Sequence, residues 1–82
     1  MSCMRIRYSR HARDRMIERG VTDNDVQQCL KGYVQRTQTA RQNQYKGDVG
    51  GRMLKVWVAP DRDTDVEKFI VSVAWEDDSD DS

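Results

Sequence analysis

His11 is the only histidine in the chain, with Arg15 four residues on and Glu18 seven. An isolated imidazole titrates near pH ~6.5, so this side chain exchanges protons readily around neutrality. On a helix these three positions share one flank. There His11 can serve as general base or acid, Arg15 can hold a phosphate or stabilise developing negative charge, and Glu18 can orient either group. RNA cleavage by internal transesterification needs that combination. The same spacing also fits a histidine that merely caps or solvates the first turn of a helix.

Other chemistries find less support. One histidine and scattered carboxylates give neither an HExxH motif nor a clustered ligand set, so no metal and no other cofactor is expected. Gly47, Gly50 and Gly51 match neither the P-loop nor the dinucleotide fingerprint. Cys3 and Cys29 are too few for a disulfide framework, and Cys29 reads as a small buried hydrophobe. Lys55 and Trp57, with Lys46 and Arg52 nearby, offer a basic surface with an aromatic platform suited to single-stranded nucleic acid, although a strand tryptophan also serves as core or interface.

The elements that must position these residues follow from local signals. Ser9 is a good N-cap and Gly20 a good stop, predicting a helix over about Arg10 to Arg19 with Ala12, Met16 and, at its edge, Ile17 as the apolar stripe. Thr22 and Asp25 form a capping-box pair for a second helix from Asp23 to Lys31, which buries Val26, Cys29 and Leu30 and stops at Gly32. From Tyr33 the apolar period becomes alternating. Tyr33 to Ala40 and Gln44 to Asp48 read as two peripheral strands, Gly50-Gly51 as a reversal into Met53 to Ala59, and Pro60 to Asp63 as a turn before Val66 to Trp75. Leu54, Val56 and Val58 share one face of the third strand. In the last strand, alternation groups Phe69, Val71, Val73 and Trp75 against Ile70, Ser72 and Ala74. The predicted fold is α+β, an N-terminal helical hairpin on one face of a mostly antiparallel sheet of about four strands, with a short extra strand at Arg5 to Tyr8 as an option.

At 82 residues the chain holds one domain, assigned to 1–75, with 76–82 as an acidic tail that has nothing apolar to bury and is expected to be disordered. The net charge of zero hides an asymmetry. Glu76, Asp77, Asp78, Asp80 and Asp81 lie in the tail, leaving 14 basic against 9 acidic residues, a body of +5. Six of the basic residues precede Gly20, which suits a polyanion such as RNA as partner, or else a plain solvated surface. With 37% hydrophobic and 34% charged residues the core is small, and a homodimer or partner protein would add burial. No apolar run can span a bilayer and no secretory pattern opens the chain, so a cytoplasmic protein without membrane contact is expected.

The stretch Tyr8-Ser9-Arg10-His11-Ala12-Arg13-Asp14-Arg15-Met16-Ile17-Glu18-Arg19-Gly20-Val21-Thr22 resembles the S-x-H-A-x-x-R-M-x-E-R-G-I-S opening of domain-of-unknown-function family 4258. The resemblance continues through Asp25-Val26, a Gly-Arg-x-Leu-x-Val strand at Gly51 to Val56, and a Val-x-Val-x-aromatic strand ending at Trp75. It implies kinship with the compact α+β group of RelE-type toxins and barnase-like ribonucleases (the BECR fold), many of which cut RNA without metal. By that resemblance His11, Arg15 and Arg19 occupy polar helix positions, Ser72 matches a small hydroxyl position, and Trp75 stands where an aromatic, commonly Tyr, is usual. A toxin-like protein also implies an antitoxin-like partner.

Two readings therefore stand. One is a small metal-independent endoribonuclease, with His11 as general acid or base, Arg15 on the scissile phosphate, and Arg19, Arg52, Lys55, Trp57, Ser72 and Trp75 contributing to substrate binding. The other is a non-catalytic module that binds protein or nucleic acid.

Overall fold

The computed structural model of the chain describes residues 5–64 and 66–76. Cys3 and all of the expected tail except Glu76 lie outside the described residues. The elements run β1 (Arg5–Tyr8), α1 (Arg10–Arg19), α2 (Asp23–Lys31), β2 (Tyr33–Gln38), β3 (Asn43–Val49), β4 (Arg52–Asp63) and β5 (Glu67–Trp75).

Ser9 joins the first strand to the first helix. Its hydroxyl oxygen accepts from the Ala12 amide at 3.0 Å and lies 3.2 Å from the Val71 carbonyl, while its own amide donates to the Ile70 carbonyl at 2.9 Å. The cap is worth about 1 kcal/mol and also fixes the start of α1 on β5. Gly20 ends the helix as expected. Thr22 and Asp25 then exchange two hydrogen bonds of 3.1 Å, and Asp23 and Asp25 place negative charge at the positive end of α2. α2 buries Val26, Cys29 and Leu30.

The sheet has five strands in the order β1-β5-β4-β3-β2, the four expected ones and the optional one at Arg5 to Tyr8. β1 pairs parallel with β5, from Arg5 opposite Glu67 to Tyr8 opposite Ile70, and the other pairings are antiparallel. With four residues and two apolar side chains β1 shows little periodicity, so the sequence offers it only as an option. α1 lies on β5 and α2 on β3 and β4, so the helices cover different halves of one face. Between them and the sheet sit Ala12, Val26, Leu30, Tyr45, Leu54, Val56, Val58, Ile70, Val73 and Trp75.

Four expectations change. β3 is not peripheral: it lies between β4 and β2 and buries Asn43, Tyr45, Gly47 and Val49, whereas β2 is exposed throughout. Pro60 to Asp63 do not turn. β4 continues to Asp63, which pairs with Lys68, and the ladder is interrupted between Val58 and Asp63, where a residue without an amide hydrogen is tolerated. In β5 the pairing jumps from Trp57–Ser72 to Val58–Ile70, so Val71 is a bulge that returns Ile70 to the face of Val73 and Trp75. Ile17, assigned to the edge of the apolar stripe, is 81% exposed.

Three glycines hold the central hairpin in place. Gly50 and Gly51 have φ of 62° and 89°, the left-handed pair that a tight reversal between twisted strands requires. At Gly47 a Cβ would stand 2.9 Å from the Cys29 carbonyl oxygen, so β3 and α2 touch only because no side chain intervenes. No helix among the described residues is long and apolar enough to cross a membrane.

Candidate functional site

Helical spacing brings His11, Arg15 and Glu18 together as anticipated. Arg15 Nε donates to His11 Nε2 at 3.4 Å, which requires that nitrogen to be unprotonated, and Arg15 Nη1 meets Glu18 Oε1 at 2.7 Å. Arg19 Nη1 lies 3.6 Å from the same carboxylate oxygen. His11 and Glu18 are exposed, and Arg15 and Arg19 are half-buried. Water therefore reaches His11 and Glu18 freely and the two guanidinium groups in part.

Trp75 stands at the C-terminal end of this ladder. Its indole Nε1 donates to the Arg19 carbonyl at 2.8 Å, satisfying one of the carbonyls that a helix end leaves unpaired. The Arg52 guanidinium lies over the same ring, 4.1 Å from its centroid. Five of the eight anticipated site residues (His11, Arg15, Arg19, Arg52 and Trp75) are thus linked by successive contacts. An indole has no exchangeable acid group of useful strength, so Trp75 acts here as a wall and a helix cap.

Lys55, Trp57 and Ser72 do not join them. They alternate with Leu54, Val56, Val58 and Val73, whose side chains meet the helices, so they occupy the opposite face of the sheet. There Lys55 is paired in register with Lys46, and Trp57 lies between Gln44 and Ser72. A small depression on this face is lined by Gln35, Thr37, Gln44, Lys46 and Lys55, and Lys46 Nζ reaches Glu76 at 3.2 Å.

The family model described as Domain of unknown function (DUF4258) matches residues 8–75. The chain belongs to that family. No curated protein and no solved structure matches it. The DUF4258 match spans the α1 ladder and β5 together, and also a second polar constellation that sequence reasoning missed.

That constellation centres on Asp63, at the end of the helix-covered face remote from Trp75. Its Oδ2 accepts from the Tyr45 hydroxyl at 2.6 Å and the Asn43 amide at 2.8 Å, and its Oδ1 binds Lys68 Nζ. Arg36 Nε donates to the Tyr45 oxygen at 3.1 Å. The Asp63 side chain is only 2% exposed. Burial alone raises the carboxyl's pKa, but hydrogen bonds from Lys68, Tyr45 and Asn43, with the Lys68 charge, prevail and hold it below the ordinary carboxylate range. Burial and the bond to Asp63 push the Tyr45 phenol upward. One sequence signal was available: Asn43 and Tyr45 sit on the inward positions of β3, where a polar group needs a partner.

Cys29 is buried as expected. Its thiol lies 3.3 Å from the Leu54 carbonyl, and burial pushes its pKa up to about 11. Such a thiol is a poor nucleophile. Tyr8 reaches across to hydrogen-bond Asp23, tying β1 to the start of α2.

Proposed function

We propose that the chain is a small metal-independent endoribonuclease, toxin-like in kind, that cleaves RNA on the exposed flank of α1. The observation that carries this reading is the unbroken series of contacts from His11 through Arg15, Glu18 and Arg19 to Trp75 and Arg52. It sets the one imidazole beside the Arg15 guanidinium and leads along the helix to Arg19 and Arg52. In the proposed reaction Arg15 leaves Nε2 for a phosphate oxygen, and that nitrogen takes the proton of the ribose 2′-hydroxyl. The 2′-oxygen then bonds to phosphorus as the bond to the 5′-oxygen breaks, and the imidazolium returns its proton to that leaving oxygen. Arg15 offsets the charge that grows on the phosphoryl oxygens, while Arg19 and Arg52 hold phosphates further along the strand.

The helix-on-sheet architecture is compatible with kinship to RelE-type and barnase-like ribonucleases, an associational argument beside the geometric one. It carries with it a cytoplasmic setting and an antitoxin-like or self-associating partner. Incubating purified protein with single-stranded RNA in EDTA tests the reading. Cleavage should fall by about 10²-fold or more in His11→Ala, the usual weight of a general base. Intact RNA, or cleavage indifferent to His11→Ala and Arg15→Ala, defeats it.

A second reading is a non-catalytic RNA-binding module working through Lys46, Lys55 and Trp57. It is favoured by the half-open state of that face, which no helix among the described residues covers. RNA binding lost in Lys55→Ala with Trp57→Ala, without any cleavage by the wild type, would select it.

A further inference from the structure

The Asp63 network has an open side. A cavity of about 350 Å³ adjoins it, lined in part by Tyr33, Arg36, Tyr45, Thr64 and Lys68. That size falls within the roughly 300–1,000 Å³ of small-molecule sites. Exposure rises steeply across it, from 2% for the Asp63 side chain through 12% for Lys68 to 35% for Arg36.

Charge among the described residues that line the cavity does not balance. Lys68 neutralises Asp63, whose oxygens are already engaged by Asn43, Tyr45 and Lys68. Arg36 adds a second cation, with Nη2 3.6 Å from Asp63 Oδ2 and the guanidinium carbon 5.4 Å from the Tyr45 ring centroid. Two cations against one occupied anion select a negatively charged ligand, and a guanidinium fork suits phosphate. Beside these donors the half-exposed Tyr33 ring meets Tyr45 edge to face at 4.9 Å, an aromatic wall on which a base can pack.

We propose that this cavity binds a nucleotide, its phosphate on Arg36 and Lys68 and its base against Tyr33. The site is separate from the α1 ladder and does not use His11. A free nucleoside monophosphate and the 5′-phosphorylated end of an RNA strand present the same chemistry.

Titration with AMP, followed at the backbone amides by NMR, tests the proposal. The amides of Tyr33, Thr64 and Lys68 should shift to saturation. Arg36→Gln, at an exposed position where folding can be checked by melting, should weaken AMP binding by about tenfold, the scale of one charge-assisted contact. Tyr33→Ala should weaken AMP and leave inorganic phosphate unaffected. Absence of saturable shifts at these amides, or AMP affinity unchanged in Arg36→Gln, overturns the site. Equal affinity for AMP and inorganic phosphate overturns the nucleotide assignment. Tighter binding of a short 5′-phosphorylated RNA than of AMP identifies a strand end as the ligand, and equal binding a free nucleotide. His11→Ala should leave the AMP titration unchanged, so failure here and failure of the ribonuclease reading are told apart.

Discussion

The α1 flank and the Asp63 network both join charged side chains by hydrogen bonds, yet water bathes the first and scarcely reaches the centre of the second. On α1 the Arg15–Glu18 pair is open to water and screened, and such pairs contribute about 0–1 kcal/mol each. Their partners can be exchanged for a phosphate at little loss. Around Asp63 the charges have given up their hydration, and removing one partner strands the others. The same chemistry therefore supports a replaceable, substrate-facing arrangement in one place and a fixed junction of β2, β3, β4 and β5 in the other.

The sharpest way to break this comparison is Asp63→Ala. It leaves Lys68, Tyr45 and Asn43 without their shared acceptor, and should cost about 3 kcal/mol by denaturant unfolding, the lower end for breaking a buried pair. A loss under about 1 kcal/mol would mean that water already supports the network. Acid provides a second measure of the same interaction. Asp63 binds its proton more weakly in the folded chain than in the unfolded one, so its stabilisation is complete above the unfolded value near pH ~4 and is lost as the pH falls through the lower folded value. The stability gap between wild type and Asp63→Asn should narrow on acidification below about pH 4, and a constant gap would remove the carboxylate from the account.

What was legible in the sequence divides along the same line. Ser9, Gly20, Thr22 and Asp25 announce both helices because capping is a matter of three or four neighbouring residues. The His11, Arg15 and Glu18 flank follows from helical spacing alone. The alternation of β4 already implied that Lys55 and Trp57 point away from the helices that Leu54 and Val56 must meet, so their separation from His11 was readable. The bulge at Val71 was not, since it depends on how β5 pairs with β4. The Asp63 network was hidden for two reasons: Pro60-Asp61-Arg62-Asp63 has the composition of a turn, and its hydrogen bonds join residues 18 and 20 positions apart. Nothing local marks such a meeting.

Trp75 lies between the two extremes. It is buried like Asp63, but its polar contacts belong to the α1 side: the indole donates to the Arg19 carbonyl and the ring lies under Arg52. Trp75→Phe keeps most of the apolar area and deletes the donor. We expect a loss of about 1–2 kcal/mol in unfolding free energy, combining one hydrogen bond with part of the cation–π contact. RNA cleavage should fall less than in His11→Ala, because the ring positions Arg19 and Arg52 without moving a proton. Equal loss of cleavage in the two variants would make Trp75 part of the reacting site.

The smallest effect on stability is expected where the proposed effect on chemistry is among the largest. Arg15→Gln removes an exposed i,i+3 ion pair, so unfolding free energy should change by no more than about 0.5 kcal/mol. Cleavage of RNA should nonetheless drop by about 10²-fold, the scale of losing one preorganised charge donor at a developing anion. Measuring both on the same preparation separates the regions. A variant as unstable as Asp63→Ala would show that the α1 ladder holds the fold together, and the contrast between a replaceable and a fixed polar network would collapse. A stable variant with undiminished cleavage would leave the contrast standing and move the phosphate away from Arg15.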